Sequence, residues 1–208
     1  MKNTGEGLEK DVYEKIVSLV NSNLFMLADP YVKVYMKKKY YSRERGDNIE
    51  FDVVVEKYLV NPDDKPDAYP ALRVIIECKD YKGSIPVDDV EEFFAKLQQI
   101  GAANTKGMII TRDANFQKGA LKYAEAKGIA LARLLPENQL IYALYLMFLK
   151  TQPNHKDDNI KEALTERDYT SNQSFFVTSG ESTMEAFICN ILGDENVSKI
   201  WTILDDEV

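Results

Sequence analysis

Acidic and basic side chains occur at two strand-like segments in a pattern that suits hydrolytic chemistry. Asp52 lies inside the β-branched run Ile49 to Val55, and Glu77 and Lys79 end the next such run. Side chains at i and i+2 of a strand share a face, so Glu77 and Lys79 should point the same way, with Asp52 beside them on the adjacent strand. Paired carboxylates suit Mg²⁺, and a neighbouring lysine can orient an attacking water. The pattern indicates a cation site.

The Glu-x-Lys triple alone is weak evidence, because about one is expected by chance in a chain of this length. Glu125-Ala126-Lys127 is such a chance match, since it falls in a predicted helix, where i and i+2 do not share a face. Glu77 and Lys79 instead follow an apolar strand and have a second acid nearby. The alternative for Asp52, a buried acid without function, carries a large desolvation penalty among valines.

Two helical residues could also face this site. Glu9 projects between Ile16 and Val20 at helical spacing, on the apolar side of the first helix, so it requires a partner. A metal-bound water or Lys79 would serve, and so would a salt bridge to any other lysine. Gln98 lies at the edge of the apolar stripe of the second helix, where contact with the site and simple solvation are nearly equal alternatives.

Hydrophobic periodicity gives the elements that must position these residues. Residues 31–80 predict a three-strand meander, and the region after it predicts a βαβ unit with parallel strands. Asn115 is predicted to cap the helix of that unit, and residues 151–174 are polar without a period. The predicted helices are Leu8 to Leu24, Pro86 to Gly101, Asn115 to Lys127, Pro136 to Lys150 and Thr183 to Leu192, and the predicted strands are Tyr31 to Ser42, Ile49 to Val60, Leu72 to Cys78, Lys106 to Thr111 and Ile129 to Leu135.

Length and composition bound the class of protein. The chain has 208 residues, of which 45% are hydrophobic and 29% charged, as in ordinary folded proteins. The longest uncharged apolar stretch, Gln139 to Leu149, is too short for a membrane helix, which needs about 20 residues. The chain starts without the apolar core of a secretory signal, and its two cysteines, Cys78 and Cys189, are too few for a disulfide scaffold. We therefore expect a cytoplasmic location and no membrane partner.

Charge is unevenly distributed along the chain. The net charge of -8 argues against nucleic acid at first sight. Between Lys33 and Arg45, however, six basic residues face one acid, whereas the last 28 residues hold seven acids and one lysine. The acidity is thus concentrated at the C-terminal end, and a local basic surface remains available.

The motifs together resemble the PD-(D/E)XK nuclease superfamily and, within it, the Mrr-like restriction endonuclease catalytic domain. The resemblance covers about residues 4 to 135, with several motifs in the same order and spacing. It implies an α/β fold, namely a restriction-endonuclease-like three-layer α/β/α sandwich with a central mixed β-sheet. The matching motifs are Gly5-Glu6-Gly7-Leu8-Glu9, Asp52, Glu77-Cys78-Lys79 followed by Tyr81 and Ser84, Gly107-Met108-Ile109-Ile110-Thr111, Asn115-Phe116, Gly119-Ala120, Ala124 and Gly128-Ile129-Ala130-Leu131.

The resemblance also implies a chemistry, the Mg²⁺-dependent hydrolysis of DNA phosphodiesters with Mn²⁺ as a substitute. Asp52 and Glu77 would be metal ligands together with the carbonyl of Cys78, Lys79 would lie beside the nucleophilic water, and Glu9 would be an outer acidic residue. Gln98, from its position on the second helix, is a further catalytic candidate. The chain departs from the family pattern in a lengthened gap before Glu77 and in the run Gly46-Asp47-Asn48-Ile49-Glu50. This run leaves Asp47 or Glu50 as an alternative or additional ligand.

DNA is then expected over the basic strand and turn, with Lys37, Lys39, Arg43 and Arg45 on phosphates. The alternative is a solvated edge strand that its lysines protect from pairing. No base-reading module is visible, so specificity would come from a homodimer, an activating partner or residues 151–208.

The chain is divided into a nuclease domain, residues 1–150, and a polar linker with an acidic extension, residues 151–208, in which lone His155 has no expected role. The leading function is an endonuclease of restriction or antiphage defence. A non-cleaving binding or interaction module and a structure-selective DNA resolvase are the alternatives.

Overall fold

The computed structural model describes residues 6–21, 30–80, 82–101, 103–135, 156–171, 175–178 and residue 188. Within these residues the predicted helices and strands occur in the predicted order, together with one short helix and three short strands that the sequence did not indicate. The helices are α1 (Glu6–Asn21), α2 (Val87–Gln99), α3 (Lys118–Lys127) and α4 (Lys156–Thr165). The strands are β1 (Val32–Ser42), β2 (Asp47–Lys57), β3 (Leu72–Lys79), β4 (Ser84–Ile85), β5 (Thr105–Thr111), β6 (Asn115–Phe116), β7 (Ala130–Leu134) and β8 (Phe175–Val177).

Six strands form one mixed sheet in the order β1-β2-β3-β5-β7-β8. β1, β2 and β3 are antiparallel, which confirms the meander, and β3, β5 and β7 are parallel, which confirms the βαβ unit. β3 and β5 are buried over most of their length and consist mainly of apolar residues, as expected for strands covered on both faces, and β2 is buried chiefly from Val53 to Glu56. β4 and β6 pair separately in a short parallel ladder.

Helices cover both faces of the sheet, so the predicted three-layer α/β/α sandwich is confirmed. α1 packs Leu8, Val12 and Ile16 against one face, where Val53 and Ile76 lie. The opposite face is covered chiefly by α2 and α3. Its buried side chains include Val90, Phe93, Leu97, Ala120 and Ala124 from the helices and Val54, Ile75, Ile109 and Leu131 from the strands.

Two sequence predictions in the second half are wrong. Asn115 does not cap α3, because it pairs with Ser84 in the β4–β6 ladder, and the residue before the helix is Gln117. The polar stretch after residue 150 contains α4, whose Leu164 joins the core beneath the α2 face. Three apolar residues, Ile160, Ala163 and Leu164, are enough to bury one side of this short helix.

Other predictions lie partly or wholly outside the described residues. These are the helices Pro136 to Lys150 and Thr183 to Leu192, of which only Ile188 is described and is buried against the α1 face. His155 and the acidic C-terminal end also lie outside them. The division at residue 150 stays a prediction, to which the structure adds that β8 pairs with β7. In the part of the chain that is described, no helix is long and apolar enough to cross a membrane.

Candidate active site

β3 places Glu77 and Lys79 on one face of the sheet, as the i, i+2 spacing predicts. The Lys79 Nζ atom lies 3.1 Å from Glu77 Oε1. A second ammonium reaches the same oxygen, because Lys96 of α2 approaches it to 3.4 Å. All three side chains are no more than 17% exposed. The Glu77 carboxylate is therefore held between two cations on the α2 side of the sheet.

The β1–β2 hairpin bends sharply beside this site. Glu56 is in register with Lys33, yet its carboxylate contacts Lys38 Nζ and the hydroxyls of Tyr40 and Tyr58, each at 2.5 Å. Seven residues of straight strand, the separation of Lys33 and Tyr40, span roughly 23 Å, farther than two side chains can bridge. The hairpin must therefore fold toward the α2 side, and the Glu56 cluster fastens it there.

At the bend, the side chains of both strands switch from one face of the sheet to the other. Phe51 and Val54 both pack on the α2 side, although an unbroken alternation would separate them. On β1 the change coincides with Lys37, whose φ of 56° lies in the left-handed region that non-glycine residues rarely adopt. Lys37 is opposite Asp52 in the register, between the pairs Met36↔Val53 and Lys38↔Phe51. The shift turns both Lys37 and Asp52 toward α1.

Asp52 is anchored to the backbone of the Glu-x-Lys tripeptide. The amide of Cys78 donates to Asp52 Oδ2 at 2.8 Å, and Lys37 Nζ donates to Asp52 Oδ1 at the same distance. The Asp52 side chain is 16% exposed. The Asp52 carboxylate is thus hydrogen-bonded to the residue that lies between Glu77 and Lys79, but it is on the α1 side of β3.

Glu9 joins Asp52 through Lys37. It is buried on the inner side of α1, as its helical position predicts, and its Oε2 lies 2.6 Å from Lys37 Nζ. Burial raises the pKa of Glu9, against the opposing effect of Lys37. For Lys37, burial favours the neutral form, but the hydrogen bonds to Asp52 and Glu9 outweigh it and raise the pKa. Of the partners considered for Glu9, the structure shows a salt bridge to another lysine.

The two ionic groups remain separate in this arrangement. Glu9 and Asp52 share Lys37 on one side of the sheet, while Glu77 shares Lys79 and Lys96 on the other. Among the residues that the structure describes, no three His, Cys, Asp or Glu side chains are grouped closely enough to hold a metal.

The donor chemistry nevertheless suits a hard divalent cation. Carboxylate oxygens of Glu9 and Asp52 converge on one positive charge, the Lys37 ammonium, at 2.6 and 2.8 Å. Carboxylates and backbone carbonyls are ligands that Mg²⁺ prefers. The thiol of Cys78 is not such a ligand, because burial and the neighbouring acids Asp52, Glu9 and Glu77 raise its pKa and keep it protonated. The residues present therefore fit Mg²⁺ at Asp52, with the carbonyl of Cys78 nearby.

The remaining predicted residues lie farther out. Gln98 is exposed on α2. The neighbouring Gln99 accepts a hydrogen bond from the Ser42 hydroxyl, at the end of β1. Asp47 and Glu50 are exposed, and Glu50 faces Lys39 at 3.4 Å.

The predicted DNA-contacting residues occupy two different environments. Arg43 and Arg45 are exposed in the turn between β1 and β2, and Lys39 is exposed on β1. Lys37 lies in the acidic site, with a side chain that is 39% exposed.

Sequence reasoning missed Lys96. Helical spacing could have indicated it, because Lys96 lies three residues after buried Phe93 and next to buried Leu97. This places it on the side of α2 that faces the sheet.

The chain was compared with family models, curated proteins and solved structures. The family model described as restriction endonuclease, the Mrr catalytic domain, matches residues 31–142, which is just over half of the chain. The crystal structure of AF1548, a protein of unknown function, aligns at 20% identity with a TM-score of 0.40, over 58% of this chain and 55% of that one, so the chain spans about half the length of that protein. No curated protein matches the sequence significantly. The chain belongs to the restriction endonuclease family of the Mrr catalytic type.

Proposed function

We propose that the protein is an endonuclease that hydrolyses DNA phosphodiester bonds with Mg²⁺, or Mn²⁺ in its place, in restriction or antiphage defence. Membership of the restriction endonuclease family supports the class of reaction. The observation that carries the assignment to this site is the hydrogen bond from the Cys78 amide to Asp52. It fixes a second acid beside Glu77 and Lys79, an acid and a lysine that share one face of the central strand β3.

The proposed roles follow from chemistry and position. Asp52 and the carbonyl of Cys78 would hold the metal, and Glu77 would leave its contacts with Lys79 and Lys96 on the other face of β3 to join them. The metal would supply Lewis-acid stabilisation and help to ionise the attacking water. Lys79, at 3.1 Å from Glu77, would orient that water and offset the charge that develops on the phosphate. Glu9 would act as an outer acid. Positioned groups of this kind can supply the barrier reduction of ~8 to 23 kcal/mol that enzymes achieve.

DNA would contact the exposed basic residues of the hairpin. Lys39, Arg43 and Arg45 are exposed on β1 and the turn after it, and contacts of such residues with phosphates give affinity without sequence information. The exposed part of Lys37 would lie at the inner edge of this surface. Homodimerisation or an activating partner would then supply any sequence specificity.

A second candidate is a non-cleaving DNA-binding or interaction module. It is favoured by the separation of the acids, because Asp52 and Glu77 contact different lysines on the two faces of β3. A structure-selective resolvase would use the same residues as the leading candidate and differ only in its DNA substrate.

Cleavage of supercoiled plasmid distinguishes these candidates. The wild-type protein should nick or linearise plasmid in Mg²⁺ or Mn²⁺ and not in EDTA, and Asp52→Asn should lose this activity while keeping its fold and its DNA affinity. Asp47→Asn is the matched control, since Asp47 is exposed at the start of the same strand. Cleavage by Asp52→Asn at the wild-type rate would overturn the assignment. DNA binding without cleavage in either metal would favour the second candidate.

A further inference from the structure

Lys37 is held in an unusual conformation at the centre of the acidic site. Its φ of 56° makes it the one non-glycine residue with a positive φ among those described. Such outliers persist only where the surrounding structure enforces them, and they are frequent at functional sites. Here the conformation directs the side chain to the α1 side, where its ammonium contacts Glu9 at 2.6 Å and Asp52 at 2.8 Å.

The ammonium stabilises two carboxylates that would otherwise repel each other. Glu9 and Asp52 have side chains that are 9% and 16% exposed, so water screens them poorly. Asp52 Oδ2 already accepts the Cys78 amide, and Lys37 holds Oδ1, the oxygen that is left for a metal. A cation at this position and a divalent metal on Asp52 Oδ1 would repel each other. The two cations must therefore compete for the same carboxylate.

Lys37 can also leave the site without disturbing the core. Its side chain is 39% exposed, and among the described strands β1 is at the edge of the sheet, paired with β2 alone. A lysine stem is long and flexible, so the ammonium can move into solvent while the backbone stays in place.

We propose that Lys37 is the resident counter-cation of the metal site and that the divalent metal displaces its ammonium from Asp52 and Glu9. This inference rests on the proposed function, because it concerns the same metal. It makes the metal-free protein a stable resting form in which the acids are neutralised by a residue of the chain itself. It also lowers the affinity for Mg²⁺, because the metal can bind only to the molecules in which Lys37 has left the carboxylates. The apparent affinity is reduced in proportion to that fraction of molecules.

Calorimetric titration of the full chain with MgCl₂ tests this exchange. Lys37→Asn and Lys37→Gly both remove the ammonium, and both residues tolerate a positive φ, so the hairpin should keep its shape. If the ammonium fills the site at least about nine-tenths of the time, both variants should bind Mg²⁺ at least about tenfold more tightly than wild type. Lys39→Asn is the matched control, because it removes the same charge from the exposed side of the same strand, and its affinity should stay within about twofold of wild type.

The outcomes separate the exchange from the function on which it rests. Tighter binding by both Lys37 variants, or binding by them where wild type shows none, supports the exchange. If wild type binds Mg²⁺ and cleaves DNA while the Lys37 variants bind no more tightly than Lys39→Asn, the exchange is wrong and the nuclease stands. If no form binds a divalent metal, the proposed function and the exchange both fail.

A measurement on the wild-type protein avoids any dependence on the folding of the variants. The side-chain ammonium signal of Lys37 in NMR spectra should shift as Mg²⁺ is added, in proportion to the occupancy of the metal site. An unchanged Lys37 signal at saturating metal would overturn the exchange.

Discussion

The buried Glu56 cluster should contribute strongly to stability, because it fastens the bent β1–β2 hairpin. Glu56 is 2% exposed and accepts hydrogen bonds from Lys38, Tyr40 and Tyr58. Glu56→Gln keeps the shape but removes the charge, which weakens three charge-assisted hydrogen bonds and leaves Lys38 without its counter-ion. Each of the three hydrogen bonds should lose about 1 kcal/mol, and small shifts of the neighbouring side chains should recover part of this. The free energy of unfolding should therefore fall by about 2 to 4 kcal/mol at neutral pH.

The pH dependence of this effect has a definite sign. Burial would raise the pKa of Glu56, but hydrogen bonds from Lys38, Tyr40 and Tyr58 outweigh it and lower the pKa below its ordinary value of 4.5. The stabilisation from Glu56 is therefore complete above pH 4.5 and is lost as the pH falls through the lower, folded-state pKa. The difference in stability between wild type and Glu56→Gln should shrink over that acidic range, because a protonated Glu56 resembles glutamine.

Urea unfolding followed by circular dichroism measures both effects. The control is Glu50→Gln, the same change on the same strand at a side chain that is 46% exposed, which should cost less than about 0.5 kcal/mol. A Glu56→Gln variant that is no less stable than Glu50→Gln at neutral pH, or a difference that grows in acid, would refute the role given to Glu56.

Two further substitutions test how the second half of the chain is held. Arg133 of β7 is fully buried and donates to the carbonyl of Arg112, just after β5, and to those of Ala163, Glu166 and Arg167 at the end of α4. Arg133→Met should lower the free energy of unfolding by about 3 to 5 kcal/mol, whereas Arg112→Met, which removes a partly exposed pair with Asp11, should cost under about 1 kcal/mol, and equal losses would contradict this account. A Cβ at Gly107 would overlap Leu97 and lie 2.9 Å from Phe93, so Gly107→Ala should destabilise by about 1 to 3 kcal/mol in thermal unfolding, and an unchanged stability would show that α2 can shift away from β5.

Much of the fold and part of the site follow from local periodicity. The period of two in β3 places Glu77 and Lys79 together, and the helical period of α1 buries Glu9. Both results depend only on residues within one element. Asn115 shows the limit of this reasoning, since a good helix-capping residue pairs instead with Ser84 of β4, which is 31 residues away in sequence.

The ionic arrangement of the site could not be predicted in the same way. The side chains of β1 and β2 change faces of the sheet at Lys37 and Asp52. Neither lysine nor aspartate at such a position predicts a positive φ or a bend. The bend depends on Glu56 and Tyr40, which lie far apart along the hairpin. Lys37 was therefore expected on the DNA surface, whereas its ammonium lies between two acids. Lys96 was missed because its contact with Glu77 joins α2 to β3.

The rate of plasmid nicking by Lys79→Met in saturating Mg²⁺ tests the central claim most directly. Lys82→Met is the matched control, because Lys82 is exposed just beyond β3 and has no assigned role. If Lys79 orients the attacking water, its loss should slow nicking by about 10²- to 10⁴-fold, while Lys82→Met should retain the wild-type rate. Nicking by Lys79→Met at the rate of Lys82→Met, or wild-type nicking that persists in EDTA, would contradict the account.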